Sequence, residues 1–127
     1  MTKDFDGWNE AKKRTDIGAV RFYTVREIWW CRLGVNIGTE QDGKGKKYVR
    51  PCVIIYSFGK DACLVIPLTT STRTHPLRID IGTVYGEPAK ANISQMRVID
   101  TRRLLKKIEF LDKTPFAELK KHIRGLF

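Results

Sequence analysis

The sequence predicts one mainly β domain with some α structure: a small, strongly bent β-barrel that carries a C-terminal helix. Short β-branched and apolar runs recur between turns that contain glycine or proline. The last residues instead show the periodicity of a helix with one apolar face. The chain has 127 residues, which suits a single hydrophobic core, and its 42% hydrophobic and 30% charged content is that of a globular protein.

Three consecutive apolar runs predict the first three strands, near 26–33, 48–56 and 62–68. The residues from Ser57 to Asp61 separate the last two runs and favour a tight hairpin turn. The third run is continuously apolar, so we expect it in the middle of the sheet, with Pro67 at its end or at a bulge. Trp29 and Trp30 point to opposite faces of a strand, so one of them belongs to the core.

The segment after the third strand begins with an alternating pattern. Leu77, Ile79 and Ile81 alternate with polar residues and predict a half-buried strand. The segment 82–88 is expected to be a turn region, and the segment 89–100 is expected to form one or two short strands.

The C-terminal end predicts helical structure. Thr101 is expected to cap a short helical turn that reaches Lys107, and Thr114 to cap the last helix, with Pro115 at its first position. The apolar stripe of that helix consists of Phe116, Leu119, Ile123 and Leu126.

Residues 1–25 are expected to be an N-terminal helical extension that packs on the main domain, residues 26–127. Asp6 can cap a short helix there, and Gly18 can end it. Phe5 and Trp8 would be an aggregation risk if they were exposed in a short tail, so we expect them to be covered.

Charge and cysteine content indicate the class of partner and the compartment. The net charge of +10 favours a polyanionic partner, either nucleic acid or an acidic protein. No run approaches the roughly 18–20 apolar residues that span a bilayer, and the first residues lack the apolar stretch of a secretory signal, so we expect a cytoplasmic protein. The three cysteines fit small buried side chains in a reducing compartment. The two histidines show no ligand spacing with them, so no metal or cofactor is predicted.

One segment comes close to a nucleotide-binding motif. The sequence from Gly38 to Gly45, GTEQDGKG, matches the GxxxxGK pattern of the P-loop. Gly45 then stands where Ser or Thr would bind magnesium, and a strand rather than a helix is predicted to follow. We therefore reject the P-loop.

The scattered acids and the two distant histidines predict no metal-hydrolase site, so phosphodiester chemistry on this chain would have to be metal-free. RNA permits such chemistry because its own 2′-OH can attack the adjacent phosphate. An arginine fork and hydroxyl donors suit the crowded, charged transition state.

Arg50 and the pair Thr69-Thr70 are candidates for these roles. If the second and third strands form a hairpin, Arg50 begins one strand where Thr69 ends the other, and the two lie side by side. Taken singly, Arg50 also fits a surface salt bridge, and the threonines fit loop capping.

Five segments in this order resemble the MazF/PemK family, the toxins of toxin–antitoxin pairs. They are EIWW at 27–30, GTEQ at 38–41, RPCVII at 50–55, IPLTT at 66–70 and SQMRVID at 94–100, the last followed by Arg103 and Leu104. The resemblance covers about residues 26–110. The loop between Gln41 and Arg50 is longer and more basic than is usual in the family, and the N-terminal extension is not typical of it.

The resemblance implies an SH3-like barrel, a homodimer, a cognate acidic antitoxin and a metal-independent endoribonuclease. Such enzymes cleave single-stranded mRNA at short sequences and leave a 2′,3′-cyclic phosphate and a 5′-hydroxyl. The family's catalytic arginine and threonine correspond to Arg50 and Thr69, and the glutamate of its GxEQ segment corresponds to Glu40. The alternatives are a non-catalytic toxin like the CcdB family and a silent nucleic-acid-binding barrel.

Further polar residues are expected to bind the substrate. They are Gln41, Lys44, Lys46, Lys47, Thr70, Arg73, His75, Gln95 and Arg97. Arg78 can also follow the RNA backbone, and Trp29, Trp30 and Tyr48 can stack bases. The general base stays open between Glu40 and His75.

The lysines of the long loop are expected to tune RNA binding more than chemistry. Replacing Lys44, Lys46 and Lys47 by glutamine should weaken RNA affinity and its salt dependence, because each lysine neutralises phosphate charge. Turnover at saturating RNA should change little. Steady-state kinetics over a range of salt concentrations measures both quantities, and a large loss of saturated turnover would contradict this division of roles.

Overall fold

The computed structural model of the protein describes residues 22–34 and 49–127. The predicted N-terminal helix lies outside the described residues, as does the loop that follows Gly34. The predicted site residues in that loop are Glu40, Gln41, Lys44, Lys46 and Lys47, together with Tyr48 as a base-stacking candidate.

The described residues form seven strands, two short 3-10 helices and one α-helix. The strands are β1 (Glu27–Arg32), β2 (Val49–Ser57), β3 (Ala62–Thr69), β4 (Arg78–Val84), β5 (Glu87–Asn92), β6 (Arg97–Asp100) and β7 (Leu104–Phe110). The 3-10 helices are Ile93–Gln95 and Thr101–Arg103, and the α-helix, α1, is Lys113–Arg124. Within the described part of the chain, no helix has the length and apolarity to cross a membrane.

All strands pair antiparallel in the order β4-β5-β3-β2-β1-β7, and β6 also pairs with β3. One edge of β3 therefore changes partner along its length. Ala62 to Val65 pair with β6, whereas Leu68 and Thr69 pair with β5. This exchange curls the sheet into an open half-barrel. The predicted fold class, a bent β-barrel with a C-terminal helix, is confirmed.

The sheet buries apolar residues on both of its faces. On one face, Val53, Ile66 and Leu68 belong to a cluster that also contains Phe116 and Leu119 of α1, a helix that packs mainly against β4. The opposite face carries a second cluster, which consists of Trp29, Cys31, Leu33, Cys52, Ile54, Cys63, Val65, Ile99 and Leu104. Because successive residues of a strand point to opposite faces, a strand covered on both sides is continuously apolar.

The three cysteines belong to the second cluster and are fully buried, as predicted. Burial raises the pKa of the Cys63 thiol to about 12, and nearby Cys52 and Asp100 add to this effect. Burial also raises the pKa of Cys31. The thiols of Cys31 and Cys63 are therefore protonated at neutral pH. All three buried cysteines pack as small apolar side chains.

The first half of the predicted elements agrees closely with the structure. The first three strands lie within one or two residues of the predicted bounds, and β2 and β3 form the expected hairpin. Trp29 is buried and Trp30 is half-buried, so one tryptophan belongs to the core as predicted. Pro67 neither ends its strand nor forms a bulge, because β3 continues through it to Thr69.

The segment 82–88 was wrongly predicted as a turn region. Only Tyr85 and Gly86 turn, and the residues on either side continue β4 and β5. Both turn residues have positive φ, 60° and 80°, as a two-residue type I′ hairpin requires. A tyrosine at such a position is rare, so the sequence pattern did not reveal the turn.

The predicted helical turn from Thr101 to Lys107 is wrong in its length and in its cap. Only Thr101–Arg103 is helical, and Leu104–Phe110 continues as β7. Asp100 rather than Thr101 is the cap: its Oδ1 accepts from the Arg102 N–H at 2.8 Å, and Arg102's hydrogen bonds lower the pKa of Asp100 to about 2.

The helix α1 begins at Lys113 with Asp112 as N-cap, so Thr114 lies inside its first turn and is not the cap. The predicted stripe is confirmed for Phe116 and Leu119, which are buried, and for Ile123, which packs against the core. Leu126 follows the end of the helix and is half exposed.

Glu27 is the one buried carboxylate among the described residues, and it connects β1 to its surroundings. Its Oε1 accepts from Trp29 Nε1 at 2.9 Å and from the Thr24 N–H at 3.0 Å. Its Oε2 pairs with Lys107 Nζ of β7 at 3.4 Å. Burial acts to raise the pKa of Glu27, but these donors outweigh it and hold the pKa below its ordinary value.

Replacing Glu27 by glutamine should lower the free energy of unfolding at pH 7 by about 1–3 kcal/mol, because charge-assisted hydrogen bonds are lost. Since the folded carboxylate has the lower pKa, its stabilisation is present above the unfolded pKa and disappears as the pH falls through the folded pKa. The difference in the free energy of unfolding between Glu27→Gln and the unmodified protein should therefore become smaller as the pH falls.

Urea unfolding at pH 7 and at about pH 3 measures both effects. Glu118→Gln, the same substitution on the exposed face of α1, is the matched control and should change little. If Glu27→Gln lowers the free energy of unfolding equally at both pH values, the Glu27 carboxylate does not stabilise the fold through its charge.

Candidate functional site

The pairing of β2 with β3 determines where Arg50 lies. Cys52 pairs with Pro67 and Val53 with Ile66, so the same register continued by two positions puts Arg50 opposite Thr69. The Arg50 guanidinium reaches across to this strand end, and its Nη2 donates to the Leu68 carbonyl oxygen at 3.5 Å, the outer limit of a hydrogen bond. The predicted side-by-side placement of Arg50 and Thr69 therefore agrees with the structure.

A third residue, Lys90, extends this pair into a row. Thr69 pairs with Lys90 of β5, and directly opposed residues of an antiparallel pair point to the same face. Arg50, Thr69 and Lys90 thus lie in line across three neighbouring strands, on the face that also carries Cys52. We call these three residues the β2-β3-β5 row. All three are half-buried.

The row has the chemistry of an oxyanion site. Two cationic side chains stand on either side of a hydroxyl group, and a guanidinium fork matches the oxygens of a phosphate. Thr69 Oγ1 accepts from the Ser71 N–H at 3.1 Å. This bond uses an oxygen lone pair and leaves the hydroxyl hydrogen available for donation to an anion.

The segment after Thr69 is ordered by short hydrogen bonds. Ser71 Oγ accepts from the Arg73 N–H at 3.2 Å and from Arg78 Nη1 at 3.4 Å. Arg78 at the start of β4 therefore faces this loop. Thr70 and Arg73 are exposed beside it, where they can meet a ligand bound at the row.

His75 is exposed in the same loop, and its Nδ1 accepts from the Leu77 N–H at 3.0 Å. A neutral ring whose Nδ1 accepts carries its proton on Nε2, so it can donate to a ligand through Nε2. It has no free lone pair with which to take a proton while this bond persists. The geometry fits ligand binding by His75 better than general-base catalysis.

Gln95 and Arg97 are not part of the row. Arg97 pairs with Val65, four residues before Thr69 along β3, which corresponds to about 13 Å at the rise of a strand. Its Nε donates to the Gln95 carbonyl oxygen at 3.5 Å. These two residues can contact a polymer that extends along the sheet, but not a group held by Arg50 and Thr69.

Lys90 was missed by the sequence analysis. The alternation of Ala89, Lys90 and Ala91 indicates a strand with an outward lysine, and that signal was available. The pairing of β5 with the end of β3 could not be predicted, because the whole of β4 lies between these two strands in the chain and they are not hairpin neighbours.

The described residues contain no group of three or more His, Cys, Asp and Glu side chains arranged to hold a metal ion. Within residues 22–34 and 49–127, the side chains placed to bind a ligand at the row are instead cations and hydroxyl groups.

The fold and the row together define a class of protein: a curled antiparallel half-barrel with a C-terminal helix and a cationic site at the end of its central hairpin. The profile of the PemK-like, MazF-like toxins of type II toxin–antitoxin systems matches residues 24–127. The chain belongs to this family. No curated protein sequence matches it.

Solved structures share the fold at low sequence identity. MazF from Deinococcus radiodurans is 18% identical, with a TM-score of 0.65 over 86% of this chain and 97% of that one. The Mycobacterium tuberculosis toxin MazF-mt6 is 18% identical, with a TM-score of 0.60 over 79% and 94%. A mycobacterial endoribonuclease in complex with its cognate antitoxin is 12% identical, with a TM-score of 0.61 over 82% and 93%.

Lys90→Gln should weaken the binding of inorganic phosphate by about 1 kcal/mol, or roughly fivefold in Kd, because one of the two cations of the row is lost. An NMR titration that follows the amides of Thr69 to Ser71 measures this affinity. Lys60→Gln, at the opposite end of the β2–β3 hairpin, is the matched control. Equal phosphate affinity in the two variants would contradict a role for Lys90 in the row.

Proposed function

We propose that this toxin is a metal-independent endoribonuclease that cleaves single-stranded mRNA at short sequences. The observation that carries the proposal is the alignment of Arg50, Thr69 and Lys90 on one face of three neighbouring strands, in a member of the PemK-like, MazF-like family. Relatives of the same fold are named as endoribonucleases, which supports the same activity here.

In the proposed reaction, the 2′-OH of one nucleotide attacks the phosphorus that joins it to the next. The bond from phosphorus to the 5′-oxygen breaks, which leaves a 2′,3′-cyclic phosphate and a 5′-hydroxyl. Attack within one molecule needs little ordering beyond alignment of the 2′-OH with the leaving oxygen. DNA lacks this hydroxyl, so the site is specific for RNA.

Arg50 would bind the scissile phosphate and stabilise the negative charge that grows on its oxygens. Thr69 would donate its hydroxyl hydrogen to the same phosphate, and Lys90 would add a second positive charge from the neighbouring strand. These groups are held by strands rather than by a loop, which keeps them aligned before the substrate binds.

Glu40, the glutamate that the family resemblance implies, would be the general base. Arginine has a pKa above about 12 and is a poor base at neutral pH. His75 is engaged through Nδ1 by the Leu77 N–H. Glu40 is the remaining candidate of the two that the sequence offered.

We also propose a homodimer and a cognate acidic antitoxin as the protein's assemblies. A net charge of +10 favours an acidic partner that competes with RNA for the same cationic surface. One structural relative is described as a complex with its cognate antitoxin.

Incubation of the purified protein with long, mixed-sequence single-stranded RNA in EDTA tests the proposed activity. We expect cuts at defined sequences with 5′-hydroxyl ends. Arg50→Ala and Thr69→Ala should each lower kcat by on the order of 10²- to 10³-fold, because each removes a group that stabilises the transition state.

Arg124→Ala and Thr114→Ala, two exposed positions on α1, are the matched controls and should cleave normally. If no such RNA is cut, the proposed activity is wrong. Binding of RNA without cleavage would favour a silent nucleic-acid-binding barrel.

A further inference from the structure

A cavity of about 180 Å³ opens at the same end of the sheet as the row. Its walls come from β1, β2, β3, β7 and the β4–β5 hairpin. Thr69 lines it together with Pro51 and Leu68, the neighbours of Arg50 and Thr69 along their strands. Thr69, at the end of β3, thus belongs both to the row and to the cavity lining, so an RNA strand held by its phosphate at the row can reach the mouth of the cavity over the strand ends.

We propose that this cavity binds the base of a nucleotide next to the scissile phosphate, and that Glu87 selects which base is accepted. This inference rests on the proposed ribonuclease function. It assigns a specificity site that lies on the opposite face of the sheet from the Arg50 side chain, because Pro51 and Leu68 alternate with Arg50 and Thr69. The RNA would pass over the strand ends between the two faces.

The lining suits a flat ring with polar edges. Leu68, Val84 and Ala89 provide an apolar floor, and Trp30 and Tyr85 provide aromatic surface on which a base can stack. The volume is below the roughly 300–1,000 Å³ of sites for drug-sized ligands, which fits one base rather than a whole nucleotide.

Tyr85 supports a ligand-binding role for an independent reason. It occupies the first turn position of the β4–β5 hairpin with φ 60°, a conformation that favours glycine or asparagine. Its side chain is 61% exposed, so burial in the core does not explain an aromatic residue there. Its N–H donates to Glu109 Oε2 at 3.2 Å, which fixes the hairpin tip against β7. Strain that is retained in a well-fixed turn is typical of functional positions.

Among the described residues that line the cavity, Glu87 is acidic, and a carboxylate accepts hydrogen bonds but cannot donate them. Adenine, cytosine and guanine carry an amino group that can donate to it. Uracil has one ring N–H between two carbonyl oxygens, which a carboxylate repels. The cavity should therefore accept amino-bearing bases and disfavour uracil.

Sequencing of the cut ends from a mixed-sequence RNA tests this selection. In the unmodified protein, one position beside the cut should be depleted of uracil by on the order of tenfold. Glu87→Gln should remove the depletion, because an amide can donate to a uracil carbonyl. Glu118→Gln, on exposed α1, should keep it. An unchanged base profile in Glu87→Gln would overturn the cavity proposal and leave the ribonuclease function standing.

Tyr85→Gly separates binding from folding. Glycine suits φ 60°, so the melting temperature should not fall, whereas KM for RNA should rise by on the order of tenfold as the stacking surface is lost. A lower melting temperature with unchanged KM would show a structural role and overturn the proposal.

If the unmodified protein cuts no RNA, the ribonuclease function fails, and an NMR titration with cytidine and uridine 5′-monophosphates decides the cavity proposal. Shifts of the Val84 and Ile108 signals that are larger with the cytidine nucleotide, and that are lost in Glu87→Gln, would support it. Absence of shifts with both nucleotides would overturn it.

Discussion

The register between β2 and β3 is the constraint on which the site depends. Cys52 pairs with Pro67, and the same register carries Arg50 to Thr69 at the open end of the hairpin. A slip by one residue would send both side chains to the other face of the sheet. The buried side chains of Val53, Ile54, Val65 and Ile66 prevent such a slip, because each face of the hairpin has its own apolar cluster. The core thereby fixes the geometry of the cationic site.

The second pairing of β3 adds what a hairpin alone cannot provide. Because the end of β3 leaves β6 and pairs with β5, Lys90 enters the same line as Arg50 and Thr69. The curl that results also brings the β4–β5 hairpin tip to β7, where Glu109 accepts from the Tyr85 N–H. One feature of the sheet thus contributes both to the row and to the cavity, which open at the same end of the sheet on opposite faces.

The sequence was sufficient for what depends on local pattern. Continuous apolar runs located β1 to β3, and the short turn between β2 and β3 was enough to predict that Arg50 lies beside Thr69. The sequence was insufficient where strands that are distant in the chain pair with each other. Leu104–Phe110 contains two adjacent lysines and has no clear alternation, and it becomes a strand only because β1 offers an edge. Lys90 and the Tyr85 turn were missed for the same reason, since their roles depend on strands that meet only in the folded chain.

The central claim is that Arg50 and Thr69 act on one phosphate as a unit, and a double-mutant cycle on kcat/KM for RNA cleavage tests it most directly. When two residues act together on one transition state, the fold-loss of kcat/KM in the double variant is smaller than the product of the fold-losses in the two single variants. The account predicts that the double variant, Arg50→Ala with Thr69→Ala, is little worse than the poorer single variant. Fully multiplicative losses would show that the two residues act independently and would contradict the account.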